Sequence, residues 1–421
     1  MNTLQDMEQL LLDGDLNALN DGIEKLQATT EYDLLYDVAN LLIDYGFIGQ
    51  ADGIFSHLLL VFPDEAQLKI DRAAALLELG EEDEALLLLT EIGPDEEEYV
   101  QALLAQADYY QMVGLAETAL AKVREASELA PHEPVIQLAQ AELLLDSGRY
   151  SEAVRLYKKL LETAEELAGV KLTSRLAEAY SAGAAYEEAI PYYEELLNQE
   201  TNPEELFGLG LAYYQTERYA DAISRLKRLI EMDPDYFSAY MLAGQSHAQL
   251  NEDDKALEFY KMGIERDTFD KELQLAAGKS ALKLQLPEEA ERYLKEALVL
   301  DPEYIDALVT LASLYNQREE DELLIELLTY SEADQLEIPL LHAFLAYAYE
   351  RTEVYKEAYE MYRKAYDGMN EDAGFLDSYA KFLLEEGKHA EAQRVIRQLV
   401  KIAPDAEEWT AYLEAQSEEE V

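Results

Sequence analysis

Residues 203–236 read PEELFGLGLAYYQTERYADAISRLKRLIEMDPDY. Apolar side chains at Leu206, Leu209, Leu211 and Tyr213 recur at helical spacing and predict one amphipathic helix. The pattern breaks at Gln215–Arg218 and resumes with Ala222, Ile223, Leu226, Leu229 and Ile230, which predict a second. Asp233-Pro234 then ends it, because proline has no amide to donate and its ring clashes with the preceding turn. The segment is therefore a helix-turn-helix. Gly210 and Ala222 set small groups where the two helices are expected to meet, and helix axes approach closely only across small side chains.

That alanine belongs to a series. Ala51, Ala85, Ala119, Ala153, Ala189, Ala222, Ala256, Ala290, Ala358 and Ala392 follow at steps of 34, 34, 34, 36, 33, 34, 34, 68 and 34 residues. The long step is two beats, with Leu324 at the one between. A period of this size marks stacked repeats. Each unit then buries its apolar face on its neighbours, so a chain of 421 residues needs no single large core.

Small residues at unit positions 8, 20 and 27, with Leu at 7, Tyr at 11 and Pro at 32, resemble the tetratricopeptide repeat. Leu209, Gly210, Tyr213, Ala222 and Pro234 supply them in one unit; Ala107, Tyr110, Gly114, Ala119, Ala126 and Pro131 in another. Gly278, Ala290, Ala297 and Pro302 do so further on, as do Ala39, Gly46, Ala51 and Pro63 near the start and Ala380, Gly387, Ala392 and Pro404 near the end. The chain looks like an all-repeat cytoplasmic tetratricopeptide protein of low-GC Gram-positive bacteria. The resemblance implies an all-α, right-handed α-solenoid superhelix of about eleven to twelve units.

Departures from the pattern suggest the organisation. Asn17 stands where the first alanine is due, so residues 1–31 read as a capping unit. The step of 36 places extra residues near Glu165–Val170, including Gly169, and suggests a bend dividing an array over 1–168 from one over 169–404. Trp409, Tyr412 and Leu413 suggest a capping helix over 405–416, with an acidic tail to residue 421 expected to fray. The unit 305–338, with Leu324 and the polar run Gln317–Glu322, is expected to be distorted.

The formal net charge is −56, from 89 acidic and 33 basic residues. Only Lys25, Lys69 and Arg72 are basic among the first hundred residues, so nucleic acid and anionic lipid would be repelled. Such charge serves solubility, or steers in a partner with a basic segment. The 30 tyrosines mostly fall at packing positions. Cysteine is absent, the N-terminus lacks a basic signal-peptide region, and the longest apolar runs, Leu58–Phe62 and Ala85–Leu89, are too short to cross a bilayer. A cytoplasmic protein is expected.

Chemistry-bearing patterns are weak. His57, His132, His247, His342 and His389 form no ligand spacing, and His247 and His342 are expected on helix surfaces. Asp13, Asp15, Asn17, Leu19, Asp21 and Glu24 match a calcium loop in spacing, but Ala18 takes the place of the obligatory glycine. Gly208 and Gly210 lie inside a helix and make no phosphate loop. The acidic runs Glu81–Glu84 and Glu96–Glu98 read as solvated turns. We find no nucleophile with a positioned base, and expect no enzyme, cofactor or metal.

What the resemblance implies about binding is a concave groove lined by the first helix of each unit, at positions 2, 5, 9, 12 and 13. Position 5 projects onto Tyr36, Ile70, Leu104, Leu138, Ser174, Phe207, Met241 and Leu275. Position 9 projects onto Asn40, Ala74, Asp108, Glu142, Glu178, Leu211, Gln245 and Lys279, and position 12 adds Tyr214. An apolar stripe flanked by carboxylates suits a protein segment with apolar anchors and basic flanks, held by a scaffold or adaptor. The alternative is a chaperone or assembly factor that holds several apolar clients. Lys279 and Lys283 share one unit and lack the neighbours that a carboxylate clamp requires. Self-association through the end faces stays open.

Overall fold

The structure, a computed structural model, describes residues 4–199, 201–331 and 336–419. These form 25 helices and one two-stranded hairpin, an all-α solenoid of helical pairs. The chain divides into two compact units, Met1–Thr216 and Glu217–Val421.

The first unit holds α1 (Leu4–Asp13), α2 (Leu16–Gln27), α3 (Tyr32–Asp44), α4 (Ile48–Val61), α5 (Ala66–Leu79), α6 (Glu82–Thr90), α7 (Tyr99–Met112) and α8 (Ala116–Leu129). It continues with α9 (Pro134–Asp146), α10 (Tyr150–Leu161), the strands β1 (Glu166–Leu167) and β2 (Val170–Lys171), α11 (Leu172–Ala182), α12 (Tyr186–Gln199) and α13 (Pro203–Gln215). The second unit holds α14 (Tyr219–Met232), α15 (Phe237–Gln249), α16 (Asp253–Arg266), α17 (Lys271–Lys283), α18 (Pro287–Leu300) and α19 (Ile305–Gln317). It ends with α20 (Asp321–Tyr330), α21 (Pro339–Arg351), α22 (Tyr355–Met369), α23 (Ala373–Glu385), α24 (His389–Ile402) and α25 (Glu407–Glu419). Within each unit a helix packs mainly on its sequence neighbours, and first helices also touch across repeats, as α5 does α7 and α19 does α21.

The periodic residue fills the seam of each pair. Every alanine of the series, and Leu324 in its place, is 0% exposed. Close packing also explains the helical glycines. A Cβ on Gly278 would lie 2.9 Å from Leu294, and one on Gly244 would collide with the Tyr260 ring.

A second periodicity lies in the turns. Five residues before each seam residue the backbone is left-handed: Gly46, Gly80, Gly114, Gly148 and Gly387 with glycine, but Ala184, Glu217, Asn251, Gln285, Glu319 and Glu353 with side chains. The next amide reaches back over the turn to the helix carbonyl, as Phe47 does to Leu42 (2.8 Å), Leu115 to Tyr110 (2.8 Å) and Lys388 to Leu383 (2.8 Å). This capping needs φ above zero at the linking residue. Gly14 takes the same conformation, with Asp15 N–H donating to Leu10 (3.1 Å). The first seam residue is therefore Leu19, at 0% exposure, and Asn17 is exposed instead. A two-residue shortening of the first repeat hid this in the alanine count.

The extra residues after α10 form the hairpin β1–β2, turned by Ala168 and Gly169, both at positive φ. Such turns match the twist of the strands they join. In the unit from Ile305, α20 is only 10 residues long. Its Asp321 is buried and accepts three hydrogen bonds from Arg351 on α21 (2.6 and 2.8 Å to Oδ1, 3.0 Å to Oδ2).

Three further expectations are corrected. His247 and His342 are buried, at 3% and 6% exposure. His247 occupies the slot that tyrosine fills in Tyr110, Tyr213 and Tyr315, so it turns inward, stacks on Phe259 and sets Nδ1 2.7 Å from Glu252. Glu82–Glu84 form the first turn of α6, where the helix dipole favours negative charge, and are not a connecting turn. At the end, Trp409 is buried and donates from Nε1 to Asp377 (2.8 Å), while α25 carries the backbone to Glu419; residues 420–421 lie outside the described residues.

Candidate functional site

The sequence-projected stripe splits when placed in three dimensions. On the first unit Ile70 and Leu138 are buried, at 6% and 5% exposure, and cannot be offered to a ligand. They are closed off where first helices lean on one another, so position 5 serves the seam in those repeats. Tyr36, Asn40, Leu104, Glu142, Ser174, Phe207, Leu211 and Tyr214 are half-buried, and Asp108 and Glu178 are exposed. On the second unit Met241 and Gln245 are half-buried on α15, while on α17 Lys279 is exposed but Leu275 is buried at 6% exposure and is closed off as Ile70 and Leu138 are.

Polar bonds join successive first helices between residues 35 apart, one position off the repeat register. Tyr36 donates to Asp71 (2.7 Å), Gln111 to Asp146 (2.6 Å) and, on the second unit, Arg351 to Asn316 (3.0 Å). Arg175 ties two of the projected carboxylates together, Glu142 at 2.6 Å and Glu178 at 2.7 Å. The Tyr157 hydroxyl also donates to Glu142 (2.8 Å), and burial with that carboxylate pushes the Tyr157 phenol well above its ordinary pKa.

Asp108 occupies the same register one repeat earlier, six residues before its left-handed turn residue, as Glu142 and Glu178 are before theirs. The arginine that would serve it is missing, because Ala139 stands where Arg175 stands one repeat on. Asp108 makes no ion pair among the described residues. Its carboxylate touches solvent, yet the surrounding protein strips part of its hydration and pushes its pKa up. Next to the half-buried Leu104 it is an uncompensated acid beside an apolar surface.

The repeat from Ile305, beyond the projected positions, also offers a recess on the second unit. A recess of about 610 Å³ is lined by Val309, Ser313 and Gln317 of α19, Leu282 of α17 and Leu340 of α21. These are positions 5, 9, 13, 12 and 2 of their repeats. The repeat spacing carries this signal, and the irregular run after Gln317 masks it.

Among the described residues no three His, Cys, Asp or Glu side chains are placed to hold a metal ion. Among them, too, no helix is long and apolar enough to cross a membrane.

Comparison with known proteins agrees with the repeat geometry. A family model described as YpiA-like tetratricopeptide repeats matches residues 111–165, and one for YpiA-like C-terminal tetratricopeptide repeats matches 339–406. General tetratricopeptide models match 144–210 and 207–271. The TPR repeat-containing protein YpiA of Bacillus subtilis is 36% identical over 364 residues, covering 86% of each chain. Among solved structures, YrrB, described as a TPR protein with an unusual peptide-binding site, is 22% identical with TM-score 0.37, over 44% of this chain and 95% of its own. The C-terminal part of a TPR repeat-containing protein from Cytophaga hutchinsonii is 18% identical with TM-score 0.48, over 57% and 98%. Proteins of this repeat type are protein–protein interaction scaffolds. The chain belongs to the YpiA-like family of tetratricopeptide-repeat proteins.

Proposed function

We propose that the protein is a non-enzymatic, cytoplasmic adaptor that holds an extended or helical segment of one partner protein on the face lined by its first helices. Leu104, Phe207, Leu211 and Tyr214 supply apolar contacts on the first unit, and Asp108 meets a basic flank. The observation that carries this reading is Asp108, a partly desolvated carboxylate without an ion-pair partner among the described residues, beside the half-buried Leu104. A Lys or Arg from the partner would restore what Arg175 provides one repeat on.

A chaperone reading would need tyrosines free to hold clients. Instead many hydroxyls are engaged with the chain's own carboxylates: Tyr99 with Glu125 (2.6 Å), Tyr315 with Glu291 (2.9 Å), Tyr362 with Glu350 (2.5 Å) and Tyr359 with Glu391 (2.8 Å). That favours one specific partner over many loose ones. The test is a crosslinked capture from native cytoplasm with the intact chain and with Leu104→Glu/Phe207→Glu. Loss of one stoichiometric partner, with helical content unchanged, supports the assignment; a partner retained by the double variant overturns it.

A further inference from the structure

The apolar run Leu58–Phe62 ends on the surface. Leu58 is 2% exposed, but Leu60 is 83% exposed and Val61 and Phe62 are each 41% exposed. Beside it lies a cleft of about 840 Å³ between the start of α3 and the α4–α5 connection. Its apolar floor and walls are Tyr32, Leu34, Leu58, Phe62 and Leu68. Tyr32 and Phe62 meet edge to face at 5.1 Å, so both rings are held without filling the space between the helices. The volume falls within the range of about 300–1,000 Å³ typical of ligand sites.

The rim is acidic: Glu31, Asp33, Asp37 and Glu65 line the same cleft and make no ion pair among the described residues. The nearby cations are already engaged. Lys69 pairs with Glu91 (3.1 Å), and Arg72 pairs with Asp52 (2.9 Å) and Glu84 (2.8 Å). Lys25 is the only other cation in the first hundred residues. Apolar walls within an uncompensated negative field attract an apolar group carried on a basic chain. They repel the chain itself, with its net charge of −56 and a last helix, α25, that has no Lys or Arg.

We propose that this cleft is a second docking site, which takes an aromatic or large aliphatic side chain flanked by Lys or Arg on another protein. It rests on the adaptor reading only in taking the ligand to be a protein segment. The cleft is built from inter-repeat connections and helix ends; it takes in groove positions only at Asp33, Tyr36 and Gln67, and neither Leu104 nor Phe207 lines it.

The probe is a short fluorescein-labelled peptide with a central Phe-Leu pair between lysines, read by fluorescence polarisation at low salt against the full chain. A counterpart with glutamates for the lysines, and a version with benzophenone for the Phe, complete the set. The lysine peptide is expected to bind and the glutamate peptide not to. Phe62→Ser and Asp33→Lys/Glu65→Lys should each weaken binding about ten-fold with helical content unchanged, and the photoproduct should lie in residues 30–37 or 58–68. Leu104→Glu/Phe207→Glu should bind the peptide as the wild type does. Absence of binding by the wild type overturns the proposal. So does loss of binding in Leu104→Glu/Phe207→Glu with retention in Phe62→Ser, which leaves the groove reading standing. A concentration-dependent dimer abolished by Phe62→Ser, seen by sedimentation equilibrium, would likewise overturn it in favour of a second copy as occupant.

Discussion

Glu353 shows what a single residue can conceal. It holds the left-handed turn at φ 63°, a conformation that costs an L-residue about 1 kcal/mol. Glycine does the same work in Gly80 and Gly387. Because the turn is made by Glu, Asn or Gln in several repeats, its periodicity is invisible in a search for glycine, whereas the alanine beat survives because only a small side chain fits most seams. Glu353→Gly is expected to raise the denaturant midpoint, a gain of about 0.5–1 kcal/mol; an unchanged or lowered midpoint would show that the Glu353 side chain compensates for the strain. Asp108 gives a pH-dependent counterpart. Its folded pKa is raised, so its favourable contribution is complete below the ordinary aspartate pKa and is lost as pH rises through the raised value. Asp108→Asn should therefore stabilise the chain at neutral pH and lose that advantage in acid, measured as thermal midpoints across pH. The sequence marked Asp108 as a groove acid, but that Ala139 leaves it unpaired requires aligning turns on their left-handed residues.

At the scale of the helical pair, the boundaries of α13 and α14 follow directly from apolar spacing and the Asp-Pro stop. What spacing does not reveal is which face of a first helix meets its neighbour. Position 5 is buried in Ile70 and Leu138 and half-open in Leu104 and Tyr36, because the depth of the seam depends on the side chains across it. His247 is buried for the same reason: its polarity suggests solvent, while its position in the helix dictates the core. Pair packing also makes a sharp prediction. A methyl group at Gly244 would strike the Tyr260 ring, so Gly244→Ala should destabilise the chain by about 1–3 kcal/mol despite alanine's better helix propensity. Equilibrium unfolding followed by circular dichroism checks it, and a gain in stability would contradict the tight seam.

For the molecule as a whole, the acidic composition and the tyrosine count turn out to be linked, since tyrosine hydroxyls repeatedly donate to carboxylates. Burial pushes the phenols of Tyr315 and Tyr347 up to about 12, and those of Tyr157 and Tyr362 higher still. A phenol whose folded pKa is raised stabilises the fold fully below about pH 10 and loses that contribution as pH climbs through the raised value. The helical signal is therefore expected to collapse on titration above about pH 10, and Tyr157→Phe should shift that collapse to higher pH. Helicity persisting well above the raised values would contradict the tyrosine–carboxylate account. Repeat class and helical pairing were legible in the sequence because they depend on short-range spacing. The Phe62 cleft and the Arg175 network were not, because they depend on which side chains meet between repeats.

The central claim is that one partner segment lies along the first helices. Its most direct measurement is stoichiometric capture from native cytoplasm by the intact chain beside Leu104→Glu/Phe207→Glu, with helicity of both verified. The account predicts one partner at equal stoichiometry with the wild type and none with the double variant. Equal recovery of that partner by both chains would contradict it.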